Sequence, residues 1–285
     1  MTAMIVGSLS NVVLDWVFIF PCGMGMFGAA FATGLAPIIS MAVLSPHVIR
    51  RRNGFHFIKC RMQGRLAAAI LSSGVPSLVT EVSSGVVIIV FIAIIMRLEG
   101  NVGVAAYGVI ANLSLVIIAV YTGIAQGIQP VISRNYGAGN FRDILATLRY
   151  ALITMLIFSV LIYTGVFFGA SQIAAVFNSE NNEMLQSIAT QGLRLYFLAC
   201  PFAGFNVILS MYFTSTEQSN PANVISLLRG FVVIIPMAFL LSAVWKIQGV
   251  WCAFPATELL VAAVGAVLFT VINNRKKHAQ PRQPL

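Results

Sequence analysis

Charge is the property that this sequence has least of. Charged side chains account for 9% of its 285 residues, with eight acidic and seventeen basic groups. A soluble globular domain has about 25% charged residues, whereas 59% of the residues here are hydrophobic and the mean hydropathy is +0.91. This composition excludes a soluble domain and predicts a protein that is embedded in lipid.

The sequence also lacks the histidine and cysteine patterns of enzymes and metal sites. Its three histidines, His47, His56 and His278, lie in predicted loops or the tail, and its four cysteines show no CxxC spacing. An intramembrane metalloprotease would need an HExxH motif, and a rhomboid-type protease would need a histidine at membrane depth. We therefore predict no enzyme activity, no metal and no cofactor, and we interpret the cysteines as small apolar side chains.

Long apolar runs are what the sequence has in place of charge. A membrane-spanning helix needs about 20 apolar residues, whereas barrel strands would need about ten residues of alternating polarity. Eight unbroken runs have the length of a spanning helix: residues 1–20, 25–48, 66–96, 103–132, 147–170, 187–214, 221–244 and 248–273. We predict an all-α membrane protein with eight transmembrane helices.

The basic residues are distributed unevenly between the two sides of this predicted membrane. If the termini are inside, the outer side keeps Arg97, Arg194 and Lys246, and we assign Arg229 alone to the interior of a span. The inner side collects Arg50, Arg51, Arg52, Lys59, Arg61, Arg65, Arg134, Arg142, Arg149, Arg275, Lys276, Lys277 and Arg282. The positive-inside rule then predicts cytoplasmic termini. The net charge of +9 indicates attraction to anionic membrane lipid, not to nucleic acid.

One basic connection divides the eight runs into two pieces. Residues 49–65 hold a run of three arginines and the turn dipeptide Asn53-Gly54. They separate a two-helix piece, residues 1–48, from a six-helix piece, residues 66–273, which a cytoplasmic tail follows at 274–285. The string GAAFA at residues 28–32 is echoed by GVWCA at 249–253. Either an internal repeat, common in transporters, or the frequency of small residues at helix interfaces explains the echo.

A single carboxylate lies at the centre of one apolar run. Glu81 is the only charged residue between Leu66 and Met96, and Arg65 and Arg97 bound the run. A charge at mid-membrane costs about 2.5–3.5 kcal/mol on insertion scales, so such residues usually mark a pathway for a substrate, ion or proton. Pro76, five residues earlier, frees a backbone carbonyl nearby. A neutral acid that is hydrogen-bonded between helices is the alternative interpretation of Glu81.

Four strings along the chain resemble one transporter family. Residues 126–140 read QGIQPVISRNYGAGN, residues 11–20 NVVLDWVFIF, residues 28–33 GAAFAT and residues 249–258 GVWCAFPATE. In this order they resemble the ends or beginnings of helices eight, five, six and twelve of the multidrug and toxic compound extrusion (MATE) family. Trp16 stands where a proline is usual. The resemblance covers essentially the whole chain.

The resemblance implies a cation-coupled antiporter that exports drugs and other amphipathic cations through the cell membrane in exchange for H⁺ or Na⁺. It implies a carrier of two six-helix lobes, of which this chain would supply helices five to twelve, and whose missing N-terminal helices would be a further partner. Glu81 matches the coupling carboxylate of helix seven, with Na⁺ as the alternative to a proton there. Asn206 lies where several members carry an aspartate, and Glu258 fits the pattern of helix twelve as a secondary site.

Further polar residues are candidates for the substrate cavity or for an ion pair. Aromatic and amide groups suit lipophilic cations, although packing explains membrane tyrosines equally well. The cavity candidates are Tyr107, Asn112, Tyr121, Gln126, Gln129 and Tyr196. Arg229 and Glu258 lie on helices of opposite direction and would meet only if both depths shift. We interpret them as a structural ion pair or a snorkelling arginine.

Two other functions stay open at this point. A flippase for lipid-linked saccharides would share the architecture, but it needs a strongly cationic cavity, for which Arg229 is the one candidate here. A truncated product that transports nothing itself is the second alternative.

Overall fold

The computed structural model describes residues 2–49, 64–178 and 181–279. Within these ranges every regular element is a helix, which confirms the predicted all-α class. The chain forms two compact units, Met1–Gln63 and Gly64–Leu285, so the division falls inside the predicted linker. Residues 50–63 of that linker and residues 280–285 of the predicted tail lie outside the described ranges.

The first unit is a hairpin of two helices, α1 (Thr2–Ile19) and α2 (Gly25–Ile49). The turn between them uses positive φ angles at Gly23 and Gly25, which glycine adopts without strain. At Gly7 on α1 a β-carbon would overlap the Ser40 side chain of α2, so the two helices touch through small residues. Small side chains allow this close approach, which is the usual way in which helices associate in lipid.

The second unit begins with two long helices. Helix α3 (Gly64–Gly137) contains one non-helical residue, Gly100, with φ 62° and ψ −151°. This backbone region is essentially restricted to glycine, so Gly100 divides α3 into two helical segments. Helix α4 (Phe141–Phe177) follows after a three-residue turn.

The rest of the second unit is made of shorter pieces and one more broken helix. Helix α5 (Glu183–Tyr196) passes through a 3₁₀ turn, Phe197–Ala199, into α6 (Cys200–Ser215). Helix α7 (Ser219–Leu227) passes through a π-helical turn, Leu228–Val232, into α8 (Ile234–Ala279). Helix α8 is itself broken at Trp245 and Lys246, and it continues into the first residues of the predicted tail.

Five helical stretches are long and apolar enough to cross a membrane: Gly25–Pro46, Glu81–Gly137, Phe141–Phe177, Glu183–Ser215 and Ser219–Asn273. The second and fifth have 57 and 55 residues. At 1.5 Å per residue each would extend roughly 80 Å, whereas the hydrocarbon core is about 30 Å thick. The breaks at Gly100 and Lys246 must therefore divide each into two crossings. The total of eight spans, which also needs the shorter α1, stays a prediction.

The core of the second unit is built from aromatic and small side chains. Tyr107 stacks between Phe91 and Trp251, with ring centroids 5.7 and 6.2 Å apart. Opposite this core, α4 exposes large apolar side chains such as Leu161 and Phe168. An apolar outer surface on a helix bundle is what lipid requires, and it would be unfavourable in water.

A close backbone approach in the second unit occurs at Gly249, the first residue of the GVWCA string. A β-carbon there would overlap the Leu241 carbonyl oxygen and carbon across the break in α8. Gly28, at the equivalent position of the echoed string, also leaves no room, since its β-carbon would lie 2.9 Å from the Phe18 β-carbon. In both hairpins the glycine lets one helix start directly against the end of the preceding one.

We expect Gly249→Ala to destabilise the second unit by about 1–3 kcal/mol, because the added methyl group meets backbone atoms that cannot rotate away. The measurement is the melting temperature of the purified protein in detergent. Gly165→Ala is the matched control, since a β-carbon at Gly165 meets nothing within 4 Å and alanine favours a helix by about 1 kcal/mol. Equal melting temperatures for the two variants would contradict the close approach.

Candidate functional site

Three polar side chains from three helical segments meet inside the second unit. The Arg229 guanidinium donates to Glu258 Oε1 from Nη2 at 2.8 Å and from Nε at 3.2 Å. Asn206 Nδ2 donates to Glu258 Oε2 at 2.7 Å and to the Glu258 backbone oxygen at 2.9 Å. Both carboxylate oxygens of Glu258 are therefore engaged. We call Asn206, Arg229 and Glu258 the polar cluster.

The polar cluster is almost fully shielded. Asn206 is 0% exposed, and the side chains of Glu258 and Arg229 are 2% and 13% exposed. Burying either charge without the other would cost several kcal/mol. The attraction between the two charges, with good hydrogen-bond geometry, offsets the cost of removing them from water. The arrangement is a charge-neutral cross-link between the π-helical turn and the second half of α8, with α6 attached through Asn206.

The break in α8 and the π-helical turn explain why this pair meets. Counted from Lys246, Arg229 lies 17 residues back along the chain and Glu258 lies 12 residues ahead. The difference of five residues is about 8 Å along a helix axis, which the long arginine side chain spans. Arg229 also lies in the π-helical turn, a feature that is often found at functional sites. The structural ion pair that the sequence suggested is thus present.

Two buried polar atoms near the cluster have no partner among the described residues. These are Asn206 Oδ1 and Thr257 Oγ1, and both residues are 0% exposed. Rotating the Asn206 amide would place its oxygen against two other acceptors, so the orientation with Nδ2 toward Glu258 is the favourable one. The cluster therefore keeps unused acceptor capacity in a shielded position.

Glu81 lies apart from the polar cluster. It is an exposed residue midway along the first segment of α3, and it makes no hydrogen bond or ion pair with any residue that the structure describes. Two residues further on, Ser83 is buried, and its hydroxyl donates to the Val79 carbonyl oxygen. A β-carbon at Gly230 would overlap the Ser83 side chain, so α3 touches the π-helical turn one residue from Arg229. Glu81 thus lies on a helix that contacts the element carrying Arg229.

The three tyrosines that the sequence placed in a substrate cavity lie in the core of the second unit. Tyr107 is 4% exposed and stacks with Trp251. Tyr121 is 1% exposed, and its hydroxyl shares a 2.9 Å hydrogen bond with Ser159 Oγ. Tyr196 is 6% exposed and stacks on Phe254 with 4.5 Å between the ring centroids. These contacts are packing interactions, and a substrate role for these tyrosines stays a prediction.

The three amides that were predicted beside them are exposed on the second unit. Asn112, Gln126 and Gln129 on α3 are all exposed. Asn112 Nδ2 donates to the Gly108 carbonyl oxygen of the same helix at 2.9 Å. Polar groups on an apolar helix bundle usually face water or another helix. Their assignment to a substrate cavity also stays a prediction.

Two buried polar residues, Ser159 and Thr257, were not identified from the sequence. Serine and threonine are common in membrane helices, so their presence alone gives no signal. Only the tertiary partner, Tyr121 in the first case, distinguishes Ser159 from its neighbours. No group of three or more histidine, cysteine or acidic side chains that could hold a metal ion occurs in the described part of the chain. A single Na⁺ needs fewer charged ligands than such a group provides. The predicted binding of Na⁺ or a proton at Glu81 therefore stays a prediction.

The apolar exterior, the length of the helical stretches and the shielded ion pair define a multi-pass membrane protein of the all-α class. The sequence model of the MatE family matches residues 76–240, which is more than half of the chain. The chain therefore belongs to the MatE family, as the motif at residues 126–140 predicted.

Curated relatives match along almost the whole chain. The multidrug export protein MepA of Staphylococcus saprophyticus is 20% identical over 277 residues, which cover 96% of this chain and 60% of the relative. The FAD transporter of Shewanella oneidensis is 24% identical over 274 residues, which cover 90% of this chain and 58% of the relative. The chain thus spans about three fifths of the length of these relatives.

Solved structures share the fold. A multidrug resistance MATE family transporter of the MOP superfamily, in an outward-facing conformation, matches with a TM-score of 0.88 at 21% identity. The match covers 97% of this chain and 62% of that one. A MOP superfamily transporter from Pyrococcus furiosus, described as having a binding pocket of reverse polarity, matches with a TM-score of 0.85 at 22% identity. That match covers 94% of this chain and 60% of the other.

We expect Arg229→Met to destabilise the protein by about 3–5 kcal/mol, because it leaves Glu258 buried without its counter-charge. The double variant Arg229→Met with Glu258→Leu should recover much of the loss, since no unpaired charge remains. The measurement is thermal unfolding in detergent. Arg142→Met, at an exposed arginine of α4, is the control and should change stability by less than about 0.5 kcal/mol. A double variant as unstable as Arg229→Met alone would contradict the ion-pair account.

Proposed function

We propose that the protein exports drugs and other amphipathic cations across the cell membrane, driven by an opposing movement of H⁺ or Na⁺. Membership of the MatE family supports a transporter, and the name of the MepA relative supports drugs as its substrates. The proposed location is the plasma or inner membrane, with both termini in the cytoplasm, as the distribution of basic residues suggests.

The observation that carries the coupling proposal is the position of Glu81. Ionisable residues in membrane helices almost always face a bundle interior or a water-filled cavity. Glu81 is exposed on its own unit and lies between exposed apolar residues such as Leu78 and Val82. Such a carboxylate is stable only where water or a cation reaches it. Exchange of a proton or Na⁺ at Glu81 is the chemistry that this position permits.

The polar cluster offers further groups that could take part in ion coupling. Asn206 can accept a hydrogen bond or coordinate a cation through its unused Oδ1, but an amide cannot take up a proton. Glu258 is held by Arg229 and is therefore only a secondary candidate for ion coupling. The contact between Ser83 and Gly230 offers a mechanical path, since a shift of α3 at Glu81 would press on the π-helical turn that carries Arg229.

The FAD transporter among the relatives raises the alternative of an anionic substrate. FAD carries phosphate groups, and a saccharide flippase would likewise bind phosphate, so both need available positive charge. Arg229 is the one arginine that we assign from the sequence to the interior of a span, and its charge is already neutralised by Glu258. This pairing favours cations over phosphate-bearing substrates.

The test is the export of a fluorescent cationic dye from cells that lack their own drug exporters and express the chain. We expect Glu81→Gln to lower the initial export rate at least tenfold, because a neutral amide cannot exchange a proton or Na⁺. Glu217→Gln is the matched control: it makes the same chemical change at an exposed turn and should leave the rate unchanged. Protein amounts in the membrane are compared by immunoblot.

Each outcome decides one part of the proposal. Full export by Glu81→Gln at equal protein level would overturn the coupling role of Glu81. Inverted membrane vesicles that are given either the dye or FAD in the medium separate the substrate classes, since uptake of FAD alone would favour the anionic alternative. A membrane-inserted chain that moves neither compound contradicts export by this chain.

A further inference from the structure

A groove on the outer surface of the second unit differs from the apolar faces around it because an arginine, Arg149, lines it. It has a volume of about 490 Å³ and lies between α4 and the end of α8. This volume falls within the roughly 300–1,000 Å³ of small-molecule sites. The residues that shape it include Leu148, Arg149, Leu152, Ile153 and Leu156 of α4 and Phe269 of α8.

The floor of the groove is fixed by packing. Leu148 is 4% exposed, and the Phe269 ring packs against Tyr212 of α6 with 5.4 Å between the ring centroids. The Tyr212 hydroxyl in turn donates to Asn273 Oδ1 at 3.3 Å. Helices α4 and α8 therefore both pack on α6 and leave a preformed depression between them. A preformed site loses less conformational freedom on binding than a flexible surface does.

Charge distinguishes this groove from an ordinary lipid-facing surface. Arg149 lies eight residues after the start of α4, about 12 Å along the helix. Its guanidinium makes no ion pair or hydrogen bond with any side chain or backbone group that the structure describes. Leu152, Ile153 and Leu156 continue from it toward the middle of the helix. One end of the groove is thus cationic and the rest is apolar.

The sequence that follows on α8 is basic as well. It continues after Asn273 with Arg275, Lys276 and Lys277. At the start of α4, by contrast, Arg142 is followed directly by Asp143, so this turn adds no net charge. Basic pockets between membrane helices on the cytoplasmic side bind the headgroups of anionic lipids, and each lysine or arginine contributes about 1 kcal/mol there. An anionic phospholipid matches both parts of the groove, its phosphate the cationic end and its acyl chain the apolar remainder.

We propose that the groove between α4 and the end of α8 binds one anionic phospholipid. Its phosphate contacts Arg149, and an acyl chain lies along Leu152, Ile153 and Leu156 and over Phe269. The site is separate from Glu81 and from the polar cluster, so it does not depend on the transport mechanism.

Native mass spectrometry of the purified chain in detergent tests this proposal. Phosphatidylglycerol and phosphatidylcholine with identical acyl chains are titrated, and the fraction of protein with one bound lipid is measured. We expect phosphatidylglycerol to bind more tightly, and Arg149→Gln to weaken it about fivefold, as the loss of one basic contact implies. Ile153→Trp, at a half-exposed position that can fill the groove, should weaken both lipids.

Arg142→Gln is the matched control, because Arg142 is an exposed arginine on the same end of α4 that does not line the groove. It should leave phosphatidylglycerol binding within twofold of the parent. Glycerol 3-phosphate is added as a competitor, and it should not displace the lipid if the acyl chain contributes to binding. Equal affinities for the two lipids, equal effects of Arg142→Gln and Arg149→Gln, or displacement by glycerol 3-phosphate would each overturn the proposal.

Discussion

Lipid offers the polypeptide backbone no hydrogen-bond partners, and this constraint shapes every part of the structure. Each unpaired N–H or C=O group in hydrocarbon costs several kcal/mol, so a chain that crosses the bilayer must pair its backbone internally. All regular elements in residues 2–49, 64–178 and 181–279 are accordingly helices. In the described part of the chain, α3 and α8 change direction within one or two residues, at Gly100 and at Trp245 and Lys246.

The same solvent changes what holds the helices together. Apolar side chains gain little by moving from lipid into a core, so close packing and polar contacts contribute more than burial itself. Gly7 against Ser40 and Gly249 against Leu241 let the helices approach closely. The aromatic stack of Phe91, Tyr107 and Trp251 fills the interior of the second unit. Glycine thus has two uses here, flexibility at the turns and contact between helices.

Charge in this environment has to be either neutralised or hydrated, and the protein shows both solutions. Arg229 and Glu258 neutralise each other in a shielded position, with Asn206 using both hydrogens of its amide on the same glutamate. Glu81 has no such partner among the described residues and lies exposed on α3. The two carboxylates therefore differ in kind, one paired in a buried cross-link and the other exposed. The contact of Ser83 with Gly230 places them on adjoining elements.

The sequence alone determined the class of protein, because 59% hydrophobic residues in runs of spanning length are compatible only with helices in lipid. It also determined the family, since the string at residues 126–140 is specific, and it identified Glu81 as an isolated charge. Hydrophobic runs report depth in the membrane but not which face of a helix meets which neighbour. For that reason only the tertiary structure decided that Tyr107, Tyr121 and Tyr196 pack in the core. It likewise decided that Arg229 reaches Glu258 across a broken helix, and that α4 and α8 leave a groove with Arg149 at its edge.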